Sequence, residues 1–126
     1  MSAGAAYEDA ASELLGRAGL KVLQRNFRCK MGEIDIVCED GSQLVFVEVR
    51  ARNNRRYGSA AASVTRAKQR KLIRAAQFFL LRHKGLGTRP CRFDVVAFGP
   101  QTQERQNGQA NTHQNEVQWV KNAFSI

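Results

Sequence analysis

Four charged residues interrupt two apolar stretches of this chain. Glu33 and Asp35 lie within GEIDIV, and Glu48 and Arg50 lie at the end of LVFVEVR. Both stretches are otherwise rich in Val, Ile and Phe, which is typical of strands with a buried face. Two carboxylates that meet at partly buried positions repel each other and lose hydration. Such a pair therefore needs a divalent cation or buried basic partners beside it.

These residue types suit a metal ion, because carboxylate oxygens together with water are the ligands that Mg²⁺ prefers. A metal ion there would activate water and neutralise the charge that builds on a phosphate during in-line attack. Arg50 would point into the same pocket, where its guanidinium suits a phosphate or a transition state. The alternative is a salt-bridged cluster in which Arg50 pairs with Glu33 or Glu48, since buried ion pairs also occur without a function.

The elements that must position these residues are the two strands of a hairpin. We predict strands over residues 33–38 and 43–50, joined by a turn at the Asp-Gly-Ser segment 40–42. A two-residue turn there places Asp35 and Glu48 on the same face. On that face the apolar residues lie toward the turn and the charges lie at the far end. The opposite face is expected to carry the aliphatic side chains of Ile34, Ile36, Val45, Val47 and Val49.

Two amphipathic helices are predicted beside the hairpin. The first covers residues 3–18, where apolar residues recur at spacings of three and four. Thr65 is a suitable N-cap for the second, which runs to about His83. The apolar stripe of the first helix is Tyr7, Ala11, Leu14, Leu15 and Ala18. The apolar stripe of the second helix is Ala67, Leu72, Ile73, Ala76, Phe79 and Leu80.

Two polar residues lie close to these apolar stripes. Gln69 precedes Leu72 and Ile73 by three and four residues, so we expect it on the core-facing side of the second helix. A buried Gln is commonly a satisfied polar group, although beside a carboxylate pocket it would contact substrate or a metal-bound water. Glu8 lies at the border of the first stripe, where the helical pattern alone favours a solvated side chain.

The remaining segments complete one α/β domain over residues 1–126. Further strands are predicted over 21–28, 91–99 and 117–124, the first and the last of them at the edges of the sheet, with a loop over 51–63. The Gln/Asn-rich segment at about 100–116 has almost nothing to bury and is predicted to be a flexible loop. A chain of 126 residues supports one hydrophobic core. The order is α-β-β-β-α-β-β, a central mixed sheet flanked by helices.

The charge balance indicates a polyanionic partner. Twenty Lys and Arg residues against eleven Asp and Glu residues give a net charge of +9, and basic surfaces bind phosphate backbones through counterion release. Charge alone leaves acidic membranes and ribosomal RNA open as alternatives, and a solvated basic face is the structural alternative. The basic residues expected beside the carboxylates, as phosphate contacts without sequence readout, are Arg52, Arg55, Arg56, Arg66, Lys68, Arg70, Lys71 and Arg74.

Cysteine usage and hydropathy favour a cytoplasmic protein with no membrane partner. Cys29, Cys38 and Cys91 are an odd count without CxxC spacing, so we expect reduced thiols. No apolar run approaches the ~20 residues needed to cross a bilayer. The first residues lack the basic segment and continuous apolar core of a signal peptide.

Taken together, the motifs resemble a known family. GEIDIV and VFVEVR, followed by AAASVTRAKQRKLIRAA and RFDVVAF, are similar to the YraN family of small bacterial predicted endonucleases. That family belongs to the PD-(D/E)XK nuclease superfamily and is related to archaeal Holliday junction resolvases. The resemblance runs from about residue 4 to residue 99. It implies a restriction-endonuclease-like fold and a metal-dependent endonuclease that acts on DNA, branched or structured DNA included, with Mg²⁺ or Mn²⁺ as cofactor.

The resemblance also implies roles for individual residues in the hairpin. Asp35 is similar to the metal-binding Asp of the second strand, and Glu48 is similar to the Glu of the (D/E)XK element. The carbonyl of Val49 would be a further metal ligand. Arg50 stands where the superfamily has a Lys that is thought to orient or activate the attacking water. Arg occurs at this position within the family, but it stays protonated and cannot act as a base.

Residues on both helices also match the family. Glu8 matches the helical Glu that resolvase-like members place over the metal, and Gln69 matches a Gln often found on the following helix. Lys68, its neighbour, would approach the phosphate. Cleavage of a four-way junction would favour a homodimer, although the sequence shows no dedicated interface pattern.

Two other function classes fit the same residues. The first is a non-catalytic DNA-binding module that keeps the nuclease-like fold, which the Arg at position 50 favours. The second is a basic protein associated with RNA or the ribosome, in which the carboxylates are structural. Both lack metal-dependent cleavage, and the second predicts that removal of Asp35 or Glu48 unfolds the protein.

Overall fold

The computed structural model describes residues 4–51, 60–99 and 116–125, apart from the side chain of residue 116. It confirms the predicted α/β class and the order α-β-β-β-α-β-β, with differences of a few residues at the ends of elements. The predicted Gln/Asn-rich loop, up to residue 115, lies outside the described residues, as do positions 52–59 of the predicted loop after the hairpin. The elements are α1 (Ala5–Arg17), β1 (Lys21–Cys29), β2 (Gly32–Asp40), β3 (Gln43–Ala51), α2 (Arg66–Arg82), β4 (Cys91–Gly99) and β5 (Glu116–Phe124).

The five strands form one mixed sheet in the order β1-β2-β3-β4-β5. Neighbouring strands are antiparallel except β3 and β4, which run parallel. A parallel pair cannot be joined by a tight turn, and α2 lies in the connection between them. The strands predicted at the two edges, β1 and β5, are at the edges. No helix of the described ranges is long and apolar enough to cross a membrane.

Local signals place the helix ends. The Thr65 side chain accepts a hydrogen bond from the backbone N–H of Lys68 at 3.1 Å, which confirms Thr65 as the N-cap of α2. Gly19, just after α1, has a φ of 97°, a conformation that favours glycine at the end of a helix. The predicted apolar stripes are partly wrong, because Ala18 and Ala67 are exposed, whereas Ala75 is fully buried.

Each face of the sheet is covered by one helix. On one face α2 packs over an aromatic cluster in which Phe79 makes edge contacts with Phe27 and Phe46. On the other face α1 packs through Ala11 and Leu15 onto the aliphatic side chains of Ile36, Cys38, Val45, Val47, Val49 and Val96. The end of the sheet that carries the charged residues therefore lies between two helices.

Near Asp35 the alternation of side chains along β1 and β2 is broken, so that some of them lie on the opposite face of the sheet from the one predicted. Arg25 pairs with acidic residues of α1, whereas Phe27, two residues on, packs against α2. Asn26 between them has a φ of 54°, which breaks the alternation of side chains. Ile34, paired with Phe27, consequently packs on the α2 side. The prediction that Ile34 shares a face with Ile36 is wrong for this reason.

The buried carboxylate of Asp94, on β4, holds a bulge between β4 and β5. Its two oxygens accept hydrogen bonds from Arg92, from the Trp119 indole N–H at 3.0 Å and from the Asn122 backbone N–H at 2.9 Å. Asn122 has a φ of 53°, and the register of the two strands shifts at this point. Asp94 is therefore a satisfied structural carboxylate.

Candidate functional site

Asp35 lies where β2 and β3 stop pairing. The backbone register of these strands runs from Asp40–Gln43 at the turn to Ile36–Val47, which confirms the two-residue turn. Beyond Ile36 the Asp35 side chain pairs with β3 in place of the backbone. Its Oδ2 accepts a hydrogen bond from the Val49 backbone N–H at 2.8 Å. Asp35 is only 2% exposed. A side chain thus replaces the backbone ladder and ties the end of β2 to β3.

Glu48 lies beside Asp35 and has two cationic neighbours. Like Asp35 it is 2% exposed. Its Oε2 is 3.5 Å from Nη1 of Arg50 and 3.8 Å from Nζ of Lys68, which reaches across from α2. Arg50 was expected here, whereas Lys68 was predicted as a phosphate contact, and its approach to Glu48 depends on how α2 docks. Glu33 is outside the cluster: its side chain is 43% exposed and lies 3.9 Å from Arg28.

The two carboxyl groups lie together and are buried, which disfavours their charged forms. Burial raises the pKa of Asp35 to about 7, and the negative charges of Glu48 and Glu8 add to the effect, against the Val49 N–H. Burial also raises the pKa of Glu48, opposed by the charges of Lys68 and Arg50. The cationic neighbours therefore do not fully neutralise this pair.

Glu8 comes to the site from α1 and is buried, so the interpretation of a solvated side chain is wrong. Its Oε1 is 3.6 Å from Nη2 of Arg25, and Nη1 of Arg25 contacts Asp9 at 2.8 Å. Sequence reasoning missed Arg25. In the sequence, Arg25 is a basic residue in a predicted edge strand, and such residues are too common to indicate a site.

The second helix brings some of the predicted residues to the carboxylates and leaves others on the surface. Gln69 is half-buried, and its Nε2 donates to the Val64 carbonyl at 3.0 Å, so the amide nitrogen is used at the start of α2. Lys68 is half-buried at Glu48. Arg66, Arg70, Lys71 and Arg74 are exposed along the helix. The predicted positions Arg52, Arg55 and Arg56 lie outside the described residues.

The donor set of Asp35 and Glu48 suits a hard divalent cation. Within the ranges the structure describes, no group of three or more His, Cys, Asp or Glu side chains is placed to hold a metal ion. Mg²⁺ is commonly held by one or two carboxylates, while water and substrate phosphate complete its shell. Asp35 and Glu48, buried side by side, present such a set.

The raised pKa of Asp35 predicts that the stability of the protein depends on pH. Between the ordinary value of 3.8 and about 7, folded Asp35 keeps a proton that the unfolded chain has released. The free energy of unfolding therefore falls as pH rises through this range, by up to about 4 kcal/mol from this group. Asp35→Asn should remove this loss, so that the variant is more stable than wild type at pH 8 and similar to it near pH 4.

Urea unfolding with a chelator present measures this difference. Glu33→Gln, on the same strand but half-exposed, is the matched control and should keep the wild-type pH dependence. If Asp35→Asn were instead strongly destabilised at pH 8, the carboxylates would be a structural ion cluster.

Comparison with known proteins places the chain in a family. Residues 7–98, which include Glu8, Asp35, Glu48 and Lys68, match the family UPF0102, described as an uncharacterised protein family. A UPF0102 protein from Janthinobacterium sp. (strain Marseille) is 48% identical over 122 residues, which cover 97% of this chain and 86% of that protein.

Two further relatives are similar over most of their length. A UPF0102 protein from Alcanivorax borkumensis is 47% identical over 117 residues, 93% of this chain and 86% of that protein. Another from Saccharophagus degradans is 43% identical over 123 residues, 98% of this chain and 92% of that protein. The chain belongs to the UPF0102 family of uncharacterised proteins.

Proposed function

We propose that this protein is a metal-dependent endonuclease that hydrolyses phosphodiester bonds in DNA, as its resemblance to the YraN family of the PD-(D/E)XK superfamily implies. The observation that carries the proposal is the pair of Asp35 and Glu48. Both are almost fully buried and lie beside each other, at the end of the sheet where β2 and β3 stop pairing. A protein that needed only a stable sheet would place apolar residues at these positions.

Asp35 and Glu48 would hold a Mg²⁺ or Mn²⁺ ion, with the Val49 carbonyl as a further ligand. When bound, such an ion supplies a water of lowered pKa and neutralises charge on the reacting phosphate. The Val49 N–H fixes one oxygen of Asp35, which leaves the carboxylate in a defined orientation. Glu8, buried and bound by Arg25, adds negative charge behind this pair and favours a cation there.

Arg50 and Lys68 would contact the phosphate. Both cations approach the same Oε2 of Glu48 from different elements, so the position of Glu48 relative to them is fixed by β3 and α2 together. Arg50 stays protonated and cannot take a proton from water. Its contribution is the stabilisation of negative charge that develops on the phosphate, as for any fixed cation at a reacting phosphoryl group.

The exposed basic side chains of α2 would bind the DNA backbone beside the site. Arg66, Arg70, Lys71 and Arg74 lie within two turns of Lys68, and the chain carries a net charge of +9. Such contacts position a duplex without reading its sequence. A second candidate function, binding of DNA without cleavage, is favoured by one observation, the Arg at the position where the superfamily has Lys.

Cleavage of DNA tests the proposal against this alternative. Purified protein should nick labelled duplex, flap, single-stranded or four-way junction DNA when Mg²⁺ or Mn²⁺ is added. Asp35→Asn and Glu48→Gln should each lower the rate by about a hundredfold or more, because each removes a metal ligand. Glu33→Gln is the control and should cleave at the wild-type rate.

Two results would contradict the nuclease proposal. Tight DNA binding without cleavage of any of these substrates, with either metal, would establish the non-catalytic module. Preferential binding of structured RNA without cleavage would indicate the RNA-associated protein.

The roles of Arg50 and Lys68 can be tested separately from metal binding. Arg50→Met and Lys68→Met should each lower kcat for the cleaved substrate by about a hundredfold, since each removes a cation at the reacting phosphate. Arg50→Lys keeps the charge and should stay within about tenfold of wild type.

Lys71→Met is the matched control for this series. Lys71 lies on the same helix and is exposed, so its loss should weaken DNA binding while kcat at saturating DNA stays unchanged. A wild-type kcat in Arg50→Met would remove Arg50 from the proposed site.

A further inference from the structure

A cleft lies beyond the candidate site, between the turn that joins β1 to β2 and the second half of α2. Its volume is about 380 Å³. Three of the six lining residues are cations and three are apolar, and no described residue in the lining carries a carboxylate. The lining residues are Arg28, Cys29, Lys30, Met31, Phe78 and Arg82.

The apolar part of the cleft is accessible between the cations. Met31, at the turn, is 37% exposed. The guanidinium carbon of Arg82 lies 5.2 Å from the centre of the half-buried Phe78 ring, so a flat cation and an aromatic ring occur together. The Arg28 side chain is 73% exposed, and the Glu33 carboxylate is 3.9 Å away from it.

A stripe of side chains on α2 joins this cleft to the carboxylates. Lys68, Lys71, Arg74, Phe78 and Arg82 follow one another at spacings of three or four, so they share one face of the helix. The backbone of Lys71 packs against Gly32 at the start of β2, three residues before Asp35. From Lys68 to Phe78 the helix rises about 15 Å, a distance that a few nucleotides of a single strand can span.

We propose that this cleft binds an unpaired segment of the same DNA strand that lies across Asp35 and Glu48. A duplex presents phosphates at its surface and keeps its bases stacked inside, so it would use the cations and leave the apolar surface of Met31 and Phe78 without a partner. An unpaired nucleotide uses both, because its base packs on aromatic and apolar side chains while its phosphates contact Arg and Lys. The substrate class is then DNA with a single-stranded segment beside the cleavage point.

This inference rests on the proposed nuclease function, and binding without metal tests it independently of cleavage. Fluorescence anisotropy in the presence of a chelator compares a single strand of about 12 nucleotides with a duplex of the same length. The double variant K30Q/R82Q should lower affinity for both DNAs by about tenfold, since each DNA contacts these cations through its phosphates. Phe78→Leu, which keeps an apolar side chain but loses the ring, should weaken single-strand binding about fivefold or more and leave duplex binding unchanged.

The matched control is the double variant R17Q/K121Q, which removes two exposed basic charges away from the cleft. It should weaken the two DNAs equally and by less. If Phe78→Leu weakens both DNAs equally or neither of them, or if K30Q/R82Q weakens binding no more than R17Q/K121Q does, the cleft does not select unpaired nucleotides and the inference is overturned. If wild type cleaves nothing yet shows the predicted binding differences, the nuclease proposal fails and the cleft proposal stands.

Discussion

The hydrogen bond between the Val49 N–H and the Asp35 carboxylate is the contact on which the candidate site depends. Backbone pairing of β2 and β3 ends at Ile36 and Val47, and this bond holds the two strands together beyond that point. A backbone ladder there would satisfy the same N–H without any carboxylate. Because a side chain does so instead, an acidic group is fixed beside Glu48 at the end of the sheet, and burial follows from the two helices that cover both faces.

Two buried acidic sites in the described part of the chain differ in how completely hydrogen bonds and cations compensate the carboxylate charge. Asp94 accepts hydrogen bonds from Arg92, Trp119 and a backbone N–H, which together satisfy both oxygens. Asp35 and Glu48 instead face each other, and the pKa of Asp35 is raised to about 7. Like charges kept together at such a cost in free energy are typical of functional sites. Asp94 therefore shapes a strand bulge, whereas the pair of Asp35 and Glu48 suits a cation.

The sequence was sufficient for features set by local chemistry. The order of elements followed from hydrophobic periodicity, the Thr65 cap from its side-chain oxygen, and the hairpin register from the two-residue turn. Features set by tertiary packing were missed or wrong. Nothing in strand alternation anticipates that Asn26 turns Ile34 to the other face, and a helical pattern treats Glu8 as solvated because it cannot include the strand residue Arg25 that pairs with it.

The proposed function requires that Asp35 and Glu48 bind a divalent cation. Thermal unfolding at pH 8 with increasing Mn²⁺ tests this most directly. A ligand that binds only the folded state, at a hundred times its Kd, stabilises it by about 2.7 kcal/mol. For a chain of this size this corresponds to a rise in Tm of roughly 10 °C at that concentration. Wild type and the Glu33→Gln control should both show it, and Asp35→Asn should not. No rise in wild type, or the same rise in all three proteins, would contradict the claim.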